Sequence, residues 1–366
     1  MTDDKSREGA IDALRGLSIA AVLFYHFELA DPVGRIGVYG VALFFMISGY
    51  CMLPSVRGSA SLGDFLAKRY ARLLPALWVC AVLTTAVERG FPLARPDRIH
   101  GFMDMAKTMV FLPAINLPTL LPRLWGAPVN HYAFVDGAYW SLLVEFKFYW
   151  LIGLAFFALP RLKPFWVIFG VSLLGNALLG RFGGPGYWTD FFPYLPLFLL
   201  GMAGWEIRHG NPGRGGWQWL AALGALAALP WMGGEKAPSL PMDGLSVGFG
   251  FLCGVLLVFG ALTDQFWHQP IGTRPLGRWF VALGAISYPL YLLHQDVGYV
   301  LFALFPWGKT PGGRALLTVP LILAAVAVHG LIENRFRSTL RKKLGFFFDR
   351  AFGGLRIFRR PAADFL

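Results

Sequence analysis

The sequence predicts an all-α integral membrane protein, a bundle of about ten transmembrane helices that encloses a polar cavity. Hydrophobic residues make up 56% of the chain and charged residues 15%, whereas soluble domains contain about 25% charged residues. Apolar segments of about 20 residues, the length that crosses a bilayer, recur along the chain. Several of these segments contain ionisable side chains, which are costly in lipid and therefore favour a polar interior.

The predicted spans cover most of the chain. They run over residues 11–30, 36–54, 70–89, 138–159, 165–180, 190–208, 217–232, 245–263, 279–305 and 314–333. The ninth is long enough to tilt or break. With a cytoplasmic N-terminus, about two thirds of the Lys and Arg residues outside the spans fall on the cytoplasmic side, in agreement with the positive-inside rule. Both termini are therefore predicted to be cytoplasmic.

The net charge of +12 follows from this topology and from attraction to anionic lipid, so nucleic acid is not an expected partner. Residues 1–337 are predicted to form the transmembrane core. Residues 338–366 alternate basic and aromatic side chains, which is typical of a cytoplasmic tail that lies on the membrane as an interfacial helix. The three cysteines stand singly in apolar stretches without metal-ligand spacing, and no metal is expected.

The first span carries the most informative charges. Arg15 and His26 are eleven residues apart, which brings both to one face of a helix about 16 Å apart along its axis. Asp12 is three residues before Arg15 and can pair with it. If Arg15 lies at the inner edge, His26 lies near mid-membrane. The simpler interpretations are a snorkelling arginine and a structural histidine between helices.

A basic cluster precedes the apolar part of the third span. Arg69 and Arg72 share one helix face, and Lys68 adds a third cation. Guanidinium groups arranged in this way suit a phosphate group. Membrane anchoring by the positive-inside rule is the alternative interpretation.

Two later segments contain further polar candidates. Glu145 lies inside "AYWSLLVEFKFYWL" and needs a cationic partner, for which Arg15 and Lys147 are both available. A structural ion pair is the alternative.

In "AISYPLYLLHQDV", Ser287, Tyr291 and His294 fall at i, i+4 and i+7 and predict one polar stripe on one helix. Pro289 removes one backbone hydrogen bond beside this stripe and favours a kink.

Six stretches in order resemble acyltransferase family 3 of the membrane O-acyltransferases, which includes bacterial O-antigen and exopolysaccharide acetylases. They are "DALRGLSIAAVLFYH", "LFFMISGY", "KRYARLLPALW", "YWSLLVEFKFYW", "ISYPLYLLH" and "LIENRFR". The first begins at residue 12 and the last ends at residue 337. Each is weak alone, but the six in order are specific.

The resemblance implies a bacterial inner-membrane enzyme that takes an acyl group, acetyl by default, from cytoplasmic acyl-CoA. The implied acceptor is a hydroxyl of a cell-surface glycan, an exopolysaccharide or its lipid-linked precursor. His26 matches the essential histidine of the family and Arg15 its paired arginine. Arg69 and Arg72 match the basic pair associated with the donor.

Glu145, Tyr291 and His294 match other recurrent motif positions of the family. We expect Glu145 to join the catalytic set and Tyr291 and His294 to join the donor site. Lys68 joins the donor site as the third cation of its cluster, and Ser287 joins it as part of the polar stripe. Three departures from the family pattern, Ala42, Lys147 and Arg335, lie away from Arg15 and His26 and bear on the acyl group and the acceptor.

The outer loop 90–137 is rich in Pro, Gly and aromatic residues, and a long irregular loop of this kind is often functional. We expect His131, Tyr132 and the adjacent Trp140 to contact the acceptor sugar.

Acyl transfer from a thioester to an alcohol requires removal of the hydroxyl proton, which suits His26 as general base. A covalent acyl-histidine is the second possibility, and a serine nucleophile is not expected. The rival functions are a transporter or flippase, whose pathways also use intramembrane His, Glu and Arg, and another enzyme of lipid-linked sugars. Transport is disfavoured because no inverted repeat is evident.

Overall fold

The computed structural model describes residues 2–29, 34, 37, 39–109, 134–182, 191–232 and 275–352. Over these ranges the chain is helical, with short turns and no β-strand. The all-α fold class predicted from the sequence is therefore confirmed for the described part of the chain.

Thirteen α-helices are described, and we number them in chain order. They are α1 Thr2–His26, α2 Gly40–Arg57, α3 Leu62–Gly90, α4 Phe102–Met109, α5 Trp140–Phe157, α6 Pro164–Phe182, α7 Leu195–His209, α8 Pro212–Met232, α9 Pro275–Ala285, α10 Ser287–Leu293, α11 Asp296–Leu304, α12 Pro311–Val328 and α13 Asn334–Phe352. A π-helical turn, His329–Glu333, joins α12 to α13.

Every predicted span except 245–263, which lies outside the described residues, overlaps one of these helices. Within the described residues, four helical stretches are long and apolar enough to cross a membrane: Gly40–Arg57, Leu62–Gly90, Gly137–Phe157 and Pro311–Phe352. The broken pair α9 and α10 makes a fifth if it counts as one span. The chain is thus a multi-pass membrane protein, while the prediction of ten helices is not confirmed.

The ninth predicted span is broken, as its length and proline indicated. Helix α9 ends at Ala285 and α10 begins at Ser287. Pro289 has no N–H group to donate to the carbonyl of Ala285, four residues earlier. The helix is therefore interrupted where that hydrogen bond is missing. The break separates α9 from the polar residues that follow Pro289.

The chain divides into two compact units. The first comprises Met1–Arg69, Phe148–Ser287 and Arg341–Leu366, and the second comprises Tyr70–Lys147 and Tyr288–Leu340.

In the first unit, α1 packs closely on α9 because both helices present glycine at the contact. A Cβ atom on Gly16 would collide with the carbonyl oxygen of Phe280, and one on Gly284 would collide with the carbonyl oxygen of Asp12. Small residues let backbones approach in this way in membrane proteins. The contact fixes the segment of α1 that carries Asp12 and Arg15.

Helices α2 and α7 also approach each other closely at glycine residues. A Cβ on Gly49 would meet the carbonyl oxygen of Phe198, and one on Gly201 would meet that of Met46. The stacked rings of Phe148 and Phe198, 3.9 Å between centroids, lie beside this contact. Gly49 and Gly201 therefore allow α2 and α7 to approach closely.

We expect Gly16→Ala to lower the melting temperature of the purified protein, because the added methyl must displace the backbone of Phe280. Overpacking of this kind costs about 1–3 kcal/mol. Gly9→Ala is the matched control on the same helix, since a Cβ there has nothing within 4 Å. Gly9→Ala should leave the melting temperature unchanged or raise it, as Ala favours helix over Gly. Equal melting temperatures for the two variants would contradict the close α1–α9 contact.

The second unit is held by hydrogen bonds between aromatic side chains and backbone carbonyls. Tyr139 is fully buried and donates to the carbonyl of Leu292 at 3.0 Å. Tyr288 donates to the carbonyl of Leu73 at 2.9 Å. These bonds tie α10 to α3 and to the start of α5, and so position the polar residues of all three.

Candidate active site

Arg15 is held on α1 by its neighbour one turn earlier. Its Nη1 atom lies 2.9 Å from Oδ1 of Asp12, which is the i, i+3 pairing that the sequence predicted. Its Nη2 atom lies 3.9 Å from the Sγ atom of Cys51 on α2. The ion pair offsets the charge of Arg15 within an apolar helix.

His26 is the last residue of α1. The helix ends in a turn in which the N–H of Glu28 donates to the carbonyl of Tyr25 and that of Leu29 donates to the carbonyl of Phe24. Glu28 has a φ of 50°, the left-handed conformation that such an ending requires. The half-buried His26 ring lies edge-on to Tyr25, 5.1 Å between centroids. The imidazole therefore stands at a helix end, where partial negative charge accumulates.

Lys68 closes the turn between α2 and α3. Its ammonium group donates to the carbonyl of Gly58 at 3.2 Å, to Ser59 Oγ at 3.0 Å and to Asp64 Oδ2 at 2.7 Å. These bonds satisfy all three donors of the ammonium group. The assignment of Lys68 to donor binding stays a prediction, and its observed contacts are structural.

Arg69 follows Lys68, and its side chain contacts the last turn of α2. Its Nη2 atom donates to Ser55 Oγ, and its guanidinium carbon lies 5.9 Å from the centre of the Phe65 ring. Arg72 lies one turn further along α3 and is half-buried. The serine and the ring contact orient the Arg69 guanidinium.

The second unit contains a buried hydroxyl cluster. Tyr291 OH lies 2.8 Å from Ser141 Oγ and 3.1 Å from the carbonyl of Ala138. His294 is fully buried, and its Nδ1 lies 2.7 Å from the carbonyl of Tyr291. A carbonyl only accepts, so Nδ1 carries the proton and the hydrogen bond fixes the tautomer.

The predicted polar stripe of Ser287, Tyr291 and His294 is only partly realised. Ser287 Oγ donates back to the carbonyl of Gly284 at 2.7 Å. Helix α10 ends at Leu293, so His294 stands in the turn after it. Tyr291 and His294 are nevertheless in contact, with ring centroids 5.3 Å apart.

The predicted acceptor residues lie in or beside the outer loop. His131 and Tyr132 are outside the described residues. Trp140 is the first residue of α5, and Glu145 lies on the same helix; both are half-buried. Among the residues that the structure describes, no group of three or more His, Cys, Asp and Glu side chains is arranged to hold a metal ion.

Sequence reasoning missed a pair of buried aspartates in the second unit. Asp136 accepts from the backbone N–H of Ala138 at 2.8 Å and from that of Asp296 at 3.0 Å. Asp296 in turn accepts from the N–H of Gly137 at 2.9 Å. Each carboxyl group thus accepts a hydrogen bond from a backbone N–H at or next to the other aspartate. The two aspartates lie at the starts of α5 and α11, where helix N-termini favour negative charge.

Two arginines face this pair from the loop after α3. Nε of Arg98 and Nη1 of Arg95 lie 3.6 Å and 3.9 Å from Oδ1 of Asp296. Burial raises the pKa of the Asp136 carboxyl well above its ordinary value, and the negative charge of Asp296 raises it further. Asp296 could have been found by the criterion that selected His294, an ionisable residue within an apolar span.

A buried histidine and glutamate join the same loop to the end of α3. Nδ1 of His100 lies 2.8 Å from Oε2 of Glu88, and both side chains are at least nine-tenths buried. The hydrogen bond to Glu88 raises the pKa of His100, against the opposing effect of burial. Arg98 lowers this pKa and Asp296 raises it.

This pair predicts a pH-dependent stability. Because the folded pKa of His100 is above its unfolded value of about 6.5, the stabilisation is complete below that value and is lost as the pH rises through the folded pKa. The melting temperature should therefore fall with increasing pH above about 6.5. Glu88→Gln should flatten this part of the profile. The same fall in Glu88→Gln as in the wild type would contradict the assignment.

The fold and these clusters define the class of the protein: a multi-pass, all-helical membrane protein whose first helix carries an arginine and a terminal histidine. The family model described as an acyltransferase domain, that of acyltransferase family 3, matches residues 8–332. The chain therefore belongs to acyltransferase family 3. The resemblance drawn from its six motifs is confirmed.

Three relatives illustrate the family. BcsY of Komagataeibacter xylinus, whose name describes a membrane-bound transacylase, is 29% identical over 90% of this chain and 85% of its own length. The exopolysaccharide production protein ExoZ of Rhizobium meliloti is 29% identical over 73% of this chain and 80% of its own length. The peptidoglycan O-acetyltransferase OatA of Listeria monocytogenes is 25% identical over 92% of this chain but 56% of its own length. No solved structure matches the chain.

Proposed function

We propose that this acyltransferase is a membrane O-acetyltransferase that moves an acetyl group from cytoplasmic acyl-CoA to a hydroxyl group of a cell-surface glycan, an exopolysaccharide or its lipid-linked precursor. The observation that carries the proposal is the placement of Arg15 and His26 on the single helix α1 of a family 3 acyltransferase. The names of ExoZ and OatA, which refer to exopolysaccharide and peptidoglycan, support a glycan acceptor.

His26 is the proposed general base. It takes the proton from the acceptor hydroxyl while the oxygen bonds to the acyl carbonyl carbon. The carbon–sulfur bond of the thioester then breaks, and the coenzyme A thiolate recovers the proton. The position of His26 at the end of α1 supports this role, because the negative end of the helix dipole stabilises the imidazolium that forms.

Arg15 is proposed to act with His26 from the same helix, and its pairing with Asp12 supports a fixed orientation. Arg69 and Arg72 are proposed to bind the phosphates of the donor, with Lys68 shaping the turn that precedes them. The contacts of Arg69 with Ser55 and Phe65 support an oriented guanidinium group.

The remaining assignments concern residues of the second unit and Ser287, the last residue of Phe148–Ser287 in the first unit. Tyr291, His294 and Ser287 are proposed to contact the donor, Glu145 to take part in catalysis, and Trp140 to bind the acceptor, as are His131 and Tyr132. The hydrogen bonds of Tyr291 with Ser141 and His294 support a preorganised polar site. We also propose that the protein lies in the inner membrane with both termini in the cytoplasm and that its helices enclose a polar cavity.

The test is mass spectrometry of the exported polysaccharide from cells that lack the protein, express the wild type or express Arg69→Ala at the same membrane level. We expect one O-acetyl group to be lost without the protein and reduced in Arg69→Ala. Arg214→Ala is the matched control, because Arg214 is an exposed arginine on α8. Unchanged O-acetylation with failed export would contradict the proposal and favour a transporter.

A further inference from the structure

The second half of α13, residues 341–352, has one face that packs on the first unit. Phe348 is 6% exposed and stands against Gly63, where a Cβ would crowd it. Phe348 and Phe352 contact the Trp150 ring, with centroids 6.5 Å and 5.9 Å away. Arg341, on the same face, lies 3.3 Å from Asp64. This segment is therefore docked rather than a free tail.

The position of Trp150 along its apolar helix indicates where this segment lies. The apolar stretch Gly137–Phe157 has 21 residues, about 31 Å of helix, which equals the thickness of the hydrocarbon core. Trp150 is seven residues before its end, which places it about 10 Å inside that edge. A segment that packs on Trp150 is thus expected to lie against the membrane.

The opposite face of the same segment is exposed and follows one helical stripe. Lys343, Phe346, Phe347 and Arg350 stand at i, i+3, i+4 and i+7, so they share a face. Phe346 is 70% and Phe347 60% exposed, although phenylalanine is normally buried. Two phenyl rings flanked by two cations are typical of a helix that lies in a membrane interface.

We propose that the stripe Lys343, Phe346, Phe347 and Arg350 is a binding surface for anionic phospholipid. The two phenyl rings enter the boundary between head groups and acyl chains, and the two cations bind head-group phosphates. Charge complementarity supports this occupant, because no acidic side chain stands in the stripe and Asp349, its neighbour, faces Gly63. The proposal does not depend on the reaction proposed above.

Hydrogen–deuterium exchange of the full-length protein in lipid nanodiscs tests this surface. Residues 341–352 should exchange more slowly in discs of phosphatidylcholine mixed with phosphatidylglycerol than in phosphatidylcholine alone. Lys343→Glu should reduce this protection by about fivefold or more, the factor that one basic side chain contributes at an anionic surface. Phe346→Ser with Phe347→Ser should reduce it as well.

Lys163→Glu is the matched control, because it makes the same charge change at an exposed lysine outside this helix, before the start of α6. It should leave the protection of residues 341–352 unchanged. Equal exchange in the two kinds of disc would overturn the proposal, as would equal losses in Lys163→Glu and Lys343→Glu. Protection that appears in detergent and increases with protein concentration would instead identify a second copy of the chain as the occupant.

Discussion

Replacing His26 with alanine is expected to lower the rate of acyl transfer by about 10²–10⁴-fold, the usual contribution of a positioned general base. The imidazole is the only side chain of α1 that is suited to exchange a proton near neutral pH. His26→Gln should lose as much activity, since an amide keeps hydrogen bonding but cannot take the proton. The rate is measured with purified protein, acyl donor and acceptor.

A loss of folding must be separated from a loss of chemistry in this experiment. His26 is half-buried at the end of α1, ten residues beyond the Gly16 contact with α9, so the melting temperature should change little. His209→Ala is the matched control, because His209 is an exposed histidine at the end of α7. It should keep full activity. His26→Ala at the wild-type rate would contradict the role of the histidine in either the general-base or the acyl-histidine form.

Replacing Asp136 with alanine is expected to destabilise the protein strongly. Its carboxyl group accepts hydrogen bonds from the N–H groups of Ala138 and Asp296 and is fully buried. Each N–H group left without a partner costs about 1–3 kcal/mol, so the two together cost about 2–6 kcal/mol. Asp136→Asn keeps one oxygen acceptor and should recover part of this loss.

Asp97 provides the control for Asp136. It pairs with Arg95 in the same loop, at 3.1 Å, but is exposed to water. Asp97→Ala should therefore leave stability unchanged within error. Chemical denaturation in detergent micelles gives the free energies of unfolding. Equal stabilities for Asp136→Ala and the wild type would show that the aspartate pair does not join the starts of α5 and α11.

Local spacing made part of this structure predictable. The Asp12–Arg15 ion pair follows from a separation of three residues on a helix, and the break before Ser287 follows from Pro289. The existence of most helices follows from apolar segments long enough to cross a bilayer. Each of these inferences uses residues that are close together in the chain.

Contacts between distant residues were not predictable in the same way. The hydrogen bond from the N–H of Asp296 to Asp136 joins positions 160 residues apart, and its existence depends on how α5 and α11 meet. The bonds of Lys68 with Gly58, Ser59 and Asp64 depend on the path of the turn between α2 and α3. The sequence shows that residue 68 is a cationic lysine, but only the fold shows which oxygen atoms surround its ammonium group.

Isotope-labelled acetyl-CoA, added to inverted membrane vesicles that contain the protein and its glycan acceptor, tests acyl transfer by this protein most directly. We predict labelled O-acetyl groups on the glycan with the wild type and labelling at least about 10²-fold slower with His26→Ala. Addition of the same donor to sealed right-side-out vesicles should give no label, because the donor is proposed to bind on the cytoplasmic side. Unlabelled glycan in inverted vesicles of the wild type, with the protein folded and the acceptor present, would contradict acyl-CoA-dependent transfer.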